Sequence, residues 1–247
     1  MKRMFAAALL FAISGSALAK NSRQDTLDRL NAAATVINEI MAAPDKGVPE
    51  EILRSAQCVA VVPSLLKGGF VVGGAFGRGV ATCRTPNATS KWSAPEFFSV
   101  EEGSFGLQIG GQAVDLVMVI MNERGMRALL SSKFKLGADA SVAAGPVGRH
   151  TEAMTDWKMR AQVLTYSRAR GVFAGLTLNG AVIHTDTDSV RAFYGRNVPN
   201  RTILMGRIAT PEDGAEFTNT IDKTAARVDA DKAEKKETSQ PASTPKK

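Results

Sequence analysis

Side chains that could do chemistry are few in this chain, and their spacing argues against catalysis. Histidine occurs only at His150 and His184, 34 residues apart, with no HExxH pair to hold a metal. No GxSxG turn presents a serine nucleophile, so a hydrolase would have to combine a serine such as Ser104 with His150 or His184. The acidic pairs Glu101-Glu102 and Asp186/Asp188 sit in turn-like contexts where solvated carboxylates are ordinary. The glycine-rich segment from Gly68 to Gly79 superficially suggests a nucleotide loop. Its glycines Gly74, Gly77 and Gly79 read GxxGxG, the reverse of the dinucleotide pattern, and no GK[ST] follows. A strand bent by glycines is the better reading. The sequence therefore predicts a non-enzymatic protein with no metal and no cofactor.

What remains is positive charge beside glycine-rich turns. Lys67 precedes Gly68-Gly69, Arg78 lies between Gly77 and Gly79, and Lys133 and Lys135 flank Phe134. Arg149 follows Gly148, and Arg168 and Arg170 bracket Ala169 just before Gly171. Basic side chains next to exposed backbone amides suit phosphate oxygens, so these seven residues are the candidate anion-binding set. Bulk charge is small: the whole chain carries +7, but the body from Lys20 to Ile221 carries only +3. That balance excludes nucleic acid as an electrostatically selected partner.

The elements that must position these residues follow from periodicity. Apolar residues at three- and four-residue steps predict a helix over Asp25–Ala42, ended by Pro44 and Gly47. A short helix opens at Pro49-Glu50. Cys58 to Val62 reads as a strand, Pro63 to Gly69 as a turn, and Phe70 to Cys83 as a second strand. Phe97–Val100, Ser104–Ala113, Asp115–Met121, Ala138–Ala144, Gln162–Ser167 and Gly171–His184 supply further strands. Helices are expected after Asn122, over Asp188–Tyr194 and over Pro211–Arg227. Runs of strands with few intervening helices predict an α+β fold with a largely antiparallel sheet, which in-strand glycines would curve strongly towards a barrel.

The ends of the chain have their own logic. Lys2-Arg3, the apolar stretch Phe5–Ile13 and Ala17-Leu18-Ala19 form a signal-peptide pattern with cleavage expected after Ala19. A periplasmic or secreted location follows, where the two remaining cysteines, Cys58 and Cys83, are expected to form a disulfide across a hairpin. Residues 222–247 are charged and poor in apolar residues, and are expected to be a disordered tail. The folded domain is thus expected over residues 20–221.

Several strings together resemble the SYLF domain: VVPSLLKGGFVVGGAFGRGV, WSAPEFFSVEEGSFGLQIGGQAVDLVMVIMN, LLSSKFKLGADASVAAGPVGR, YSRARGVFAGLTLNGAVI and the closing FYG at Phe193–Gly195. They cover roughly Glu50 to Gly195. The resemblance implies a lipid-binding module for anionic phospholipids of the phosphoinositide type, with an amphipathic N-terminal helix that helps some members meet membranes. Here Asp25, Asp28 and Glu39 oppose Arg29 on the corresponding helix, a charge pattern unsuited to an anionic surface. That helix is expected to pack against the body. The expected partner is an anionic phospholipid or membrane surface; the alternative is a scaffold that binds an envelope protein.

Overall fold

A computed structural model describes residues 22–42, 47–69, 72–85, 92–105, 110–146, 161–169, 172–175 and 178–238. The signal-peptide pattern, His150, Arg149, Arg170 and the final nine residues lie outside them. Among the described residues nine strands form one sheet: β1 (Cys58–Gly69), β2 (Val72–Cys83), β3 (Glu96–Phe105), β4 (Gly110–Ile120), β5 (Lys133–Lys135), β6 (Val142–Ala144), β7 (Val163–Ala169), β8 (Val172–Gly175) and β9 (Val182–Thr185). Their order is β5-β9-β3-β2-β1-β4-β7-β6, with β8 also pairing β7. Only β6–β7 is parallel among these pairs; the others are antiparallel. The helices are α1 (Arg23–Ala42), α2 (Glu50–Ser55), α3 (Glu123–Leu129), α4 (Thr187–Tyr194), α5 (Asn200–Leu204) and α6 (Glu216–Thr238). The architecture is the expected α+β fold with a strongly curved, mostly antiparallel sheet.

Both faces of the central strands are buried, for different reasons. Val59, Val61, Val80, Phe97, Val117, Val119 and Tyr166 face outward under α1, α2, α4 and α6. The inner face carries Ala60, Val62, Val100, Leu116 and Met118, joined by Phe134 of β5 and Ile183 of β9 from one end and Val163 of β7 from the other. The sheet therefore curls until residues near its opposite ends share one core. Small residues on β2 permit the curl. A Cβ on Gly79 would fall 2.4 Å from Phe98 Cζ and 2.6 Å from the Val61 carbonyl oxygen, and one on Gly77 would fall 2.5 Å from Val62 Cγ1. These glycines serve close packing, which disposes of the nucleotide-loop pattern.

Three expected boundaries moved. Pro63–Gly69 was expected as a turn but continues β1, because one extra residue is inserted between Val61 and Leu66 relative to β2. Ser64 adopts φ 56°, and its N–H donates to Asp115 Oδ1 at 3.0 Å. A local kink of this kind imitates a turn in sequence while the strand runs on. Similarly, Ser104–Ala113 is not one strand: β3 ends at Phe105 and β4 starts at Gly110. Helix α6 runs to Thr238, well into the stretch expected to be a disordered tail. Ala225, Ala226, Ala230 and Ala233 give that stretch helix propensity, and its N-terminal turns are anchored by buried Phe217 and Ile221.

Helix α1 lies against the body as expected. Thr26, Leu30, Ala33, Ala34, Val36, Ile37 and Ile40 are buried. Arg23 closes its start by a 2.7 Å ion pair with Asp213 and a hydrogen bond donated to the Phe193 carbonyl. The disulfide Cys58–Cys83 joins residues that are direct partners on β1 and β2.

Candidate functional site

The described candidate cations do not converge on one pocket. Arg168 on β7 faces Asp115 of β4 across the ladder and donates to its Oδ2 from Nε at 3.0 Å and from NH2 at 2.7 Å. A further ion pair joins Arg168 to Glu39 of α1. Since Asp115 also accepts the Ser64 amide, this one arginine links α1, β4, β7 and the β1 kink. Its charge is spent on holding the domain together.

Arg78 belongs to a second cluster on the same outer face. Asp186 caps α4 by accepting from the Ser189 amide at 3.1 Å and from the Ser189 hydroxyl at 2.7 Å. Arg29 of α1 lies 3.4 Å from Asp186, donates to Ser189 Oγ at 3.1 Å and stacks over the Phe97 ring at 5.6 Å. Burial lowers the Arg29 pKa, opposed by the nearby Asp186. Arg78 approaches the same carboxylate at 3.8 Å while its side chain stays 44 % exposed. It therefore combines a structural contact with access to solvent.

Lys67 follows Leu65 on the inner face, partly buried, in the row Gln112–Lys67–Ala75–Glu102. Lys133 and Lys135 stand exposed on β5, the outermost strand, on either side of buried Phe134. The alternation of side chains along an extended strand is what aligns them. A shallow groove of about 190 Å³ between α1 and α6 is lined by Asn38, Met41, Lys223 and Arg227 among others. Both cations fall in the helix expected over Pro211–Arg227 as well as in the tail expected from residue 222; the groove is not legible in sequence, because only the docking of α6 on α1 creates it.

Of the two histidines weighed for a hydrolase, His150 lies outside the described residues and His184 can be placed against Ser104. His184 pairs with Ser99 on β3, five residues from Ser104, which places the two backbones about 17 Å apart along the strand. Among the described residues no group of three His, Cys, Asp or Glu side chains could hold a metal ion. The most perturbed acid is structural in position: Glu96, at the start of β3, is 3 % exposed and neither carboxyl oxygen has a hydrogen-bond partner. Burial, and secondarily the charge of Asp186, pushes it up to about 9. Tyr194 beside it is raised too, by burial first and Glu96 second, while its hydroxyl donates to the Pro95 carbonyl at 2.8 Å.

The curled, helix-backed sheet thus carries two ion-pair clusters on its outer face, around Asp115 and around Asp186. Residues 101–224 match the family model Ysc84, described as "Las17-binding protein actin regulator". The chain belongs to this family, whose defining unit is the SYLF domain. It is 34 % identical over 181 residues to SH3 domain-containing YSC84-like protein 1 of Xenopus laevis, covering 72 % of this chain and 53 % of that protein. The Homo sapiens protein of that name is 33 % identical over 198 residues, covering 77 % and 57 %. Protein YSC84 of Saccharomyces cerevisiae is 32 % identical over 177 residues, covering 70 % and 37 %. The chain thus spans about half the length, or less, of the curated relatives it matches. Their names describe domain content, and the family description denotes binding and regulation rather than a reaction.

Proposed function

We propose that this chain is a non-enzymatic interaction module that engages a protein partner in an extracytoplasmic compartment. The observation that carries this reading is the match of residues 101–224 to a family described by the protein it binds. The leader-like N-terminus and the Cys58–Cys83 disulfide support the compartment. Two surfaces suit a partner with acidic groups: the exposed Lys133 and Lys135 on β5, and Lys223 with Arg227 along the α1–α6 groove. Both pairs lie on elements held by buried apolar residues, Phe134 in one case and Phe217 and Ile221 in the other. The test is co-purification with Lys133→Glu/Lys135→Glu and, separately, Lys223→Glu/Arg227→Glu. One of the two double variants is expected to lose a partner that the unaltered chain retains in fixed stoichiometry. Retention of every co-purifying protein by both variants would refute these surfaces.

A second reading, binding of anionic phospholipid head groups, is favoured by Lys133 and Lys135 projecting together from one exposed strand. It predicts vesicle binding that weakens with salt and with Lys133→Glu/Lys135→Glu.

A further inference from the structure

Part of the outer sheet face stays exposed, and the side chains standing on it are ordered by charge. On β5, β9 and β3, Phe134, Ile183 and Val100 point into the inner core. Alternation therefore sets Lys133, Lys135, Val182, His184, Ser99 and Glu101 on the outer face. Ala75 does the same on β2 and turns Phe76 and Arg78 outward. Register then gives two rows, Lys133–His184–Ser99–Arg78 and, one step on, Lys135–Val182–Glu101–Phe76–Leu66. A step the other way, Val80 and Phe97 are buried, Phe97 beneath Arg29 of α1 and against Phe193 of α4. The helices cover that row and stop. In the second row Leu66 is 59 % exposed and Phe76 47 %, and Glu101 and Lys135 are exposed too. Arg78 leans on Asp186, whereas Lys133, Lys135 and Glu101 form no ion pair among the described residues. The strip is thus basic at its β5 end, acidic in the middle and apolar at its β1 end.

We propose that this strip binds a protein segment with paired carboxylates at one end and a bulky apolar side chain at the other, laid across the strands from β5 to β1. The inference rests on the protein-partner reading and deepens it: it selects the Lys133/Lys135 surface, adds a second anchor and states the pattern of the partner. Charge complementarity places the carboxylates on Lys133 and Lys135, beside His184. Leu66 and Phe76 supply the apolar anchor, a pair of large exposed side chains in direct contact register. Strand spacing sets the distance between the two ends. From β5 it is three strands to β2 and four to β1, or about 14 and 19 Å, which an extended chain covers in about four to six residues. Glu101 stands between the ends and repels a carboxylate placed midway, so the strip selects a bipartite pattern against a uniformly acidic run. Two observations favour a protein segment over a lipid surface. Exposed Glu101 opposes an anionic membrane in the middle of the row. The strip also lies on the convex side of the curl, where a flat bilayer touching β3 would recede from β5 and β1 while a flexible segment follows the curve.

The test measures fluorescence polarisation of labelled peptides with the full chain. The probe carries two glutamates, about five glycine or serine residues, then phenylalanine and leucine. One control moves the glutamates next to the phenylalanine, and a second is glutamate throughout. The probe should bind about tenfold or more tightly than either control. Phe76→Ser and Lys133→Glu/Lys135→Glu should each weaken it by about tenfold or more with unchanged thermal unfolding, since all three side chains are exposed. Glu101→Gln should leave probe binding intact and tighten binding of the all-glutamate peptide. Equal binding of the three peptides overturns the proposal, and so does a Phe76→Ser variant that binds the probe like the unaltered chain. Co-purification separates this failure from that of the parent reading. A partner lost with Lys133→Glu/Lys135→Glu but kept by Phe76→Ser sinks the strip and leaves a protein partner standing, as does one lost only with Lys223→Glu/Arg227→Glu. Absence of peptide binding together with phosphatidylglycerol-vesicle binding that Lys133→Glu/Lys135→Glu abolishes and Phe76→Ser does not overturns it in favour of head groups.

Discussion

The two ends of the β1–β2 hairpin are built from the same strands to opposite specifications. At the base, Cys58–Val62 and Val80–Cys83 are buried on both faces, closed by a disulfide and braced by the Phe97–Phe193 ring pair at 5.2 Å. At the tip, the same two strands lose their side chains to glycine and expose Leu66 and Phe76. Between them sits the Pro63–Ser64 kink, tied to Asp115 and, through it, to Arg168. Stability and surface function are thus segregated along one ladder: the base can be rigid because the tip carries no packing duty.

The largest expected effect bears on the base and is pH-dependent. Glu96 is held protonated in the fold, with a carboxyl near 9 against 4.5 unperturbed. Above the unperturbed value the unfolded chain releases this proton while the folded chain keeps it, so stability falls as pH rises and levels off beyond the folded value. Chemical denaturation of the unaltered chain against Glu96→Gln should show their difference in stability changing by up to about 1.4 kcal/mol per pH unit between those values. A flat difference would remove Glu96 from the buried base. Next comes a paired truncation of one residue type at the two ends. Phe97→Ala should cost about 3–5 kcal/mol, and Phe76→Ala within about 0.5 kcal/mol, read from denaturant midpoints. Similar costs would dissolve the contrast.

Replacing both cysteines, Cys58→Ser/Cys83→Ser, should lose about 3 kcal/mol from the chain-entropy effect of a 25-residue separation, measured without and with reductant. The reductant should shift the unaltered chain alone. The smallest contrast compares glycines. Gly79→Ala, whose Cβ would strike Phe98 and the Val61 carbonyl, should cost about 1–3 kcal/mol, and Gly111→Ala, whose Cβ meets open space, close to nothing. Equal melting temperatures for the two would mean that the base glycines are not there for packing.

How much of this was legible in the sequence depends on how local each signal is. The helix at Arg23–Ala42, the Asn122 cap of α3 and the α4 segment were readable, since each rests on residues three or four apart. The Cys58–Cys83 pairing was readable from compartment and hairpin spacing. The β1 kink was misread as a turn, because Pro63-Ser64 followed by glycines looks locally like chain reversal. Of the seven candidate cations, sequence could select type and neighbourhood but not occupation. Arg168 and Arg78 turn out to meet acids 53 and 108 residues away in sequence.

By itself, the sequence determined the α+β class, the glycine-bent strands, the family and the poverty of catalytic groups, all of which are properties of residue type and short-range order. Tertiary structure alone decided which charges are spent on bracing, that Glu96 is buried without a partner, and that glycines from four strands align into one row, with three more beside Ser104 in the next. The physical reason is register. A ladder pairs residues tens of positions apart, and a shift of one residue would turn Leu66, Phe76 and Lys67 to opposite faces.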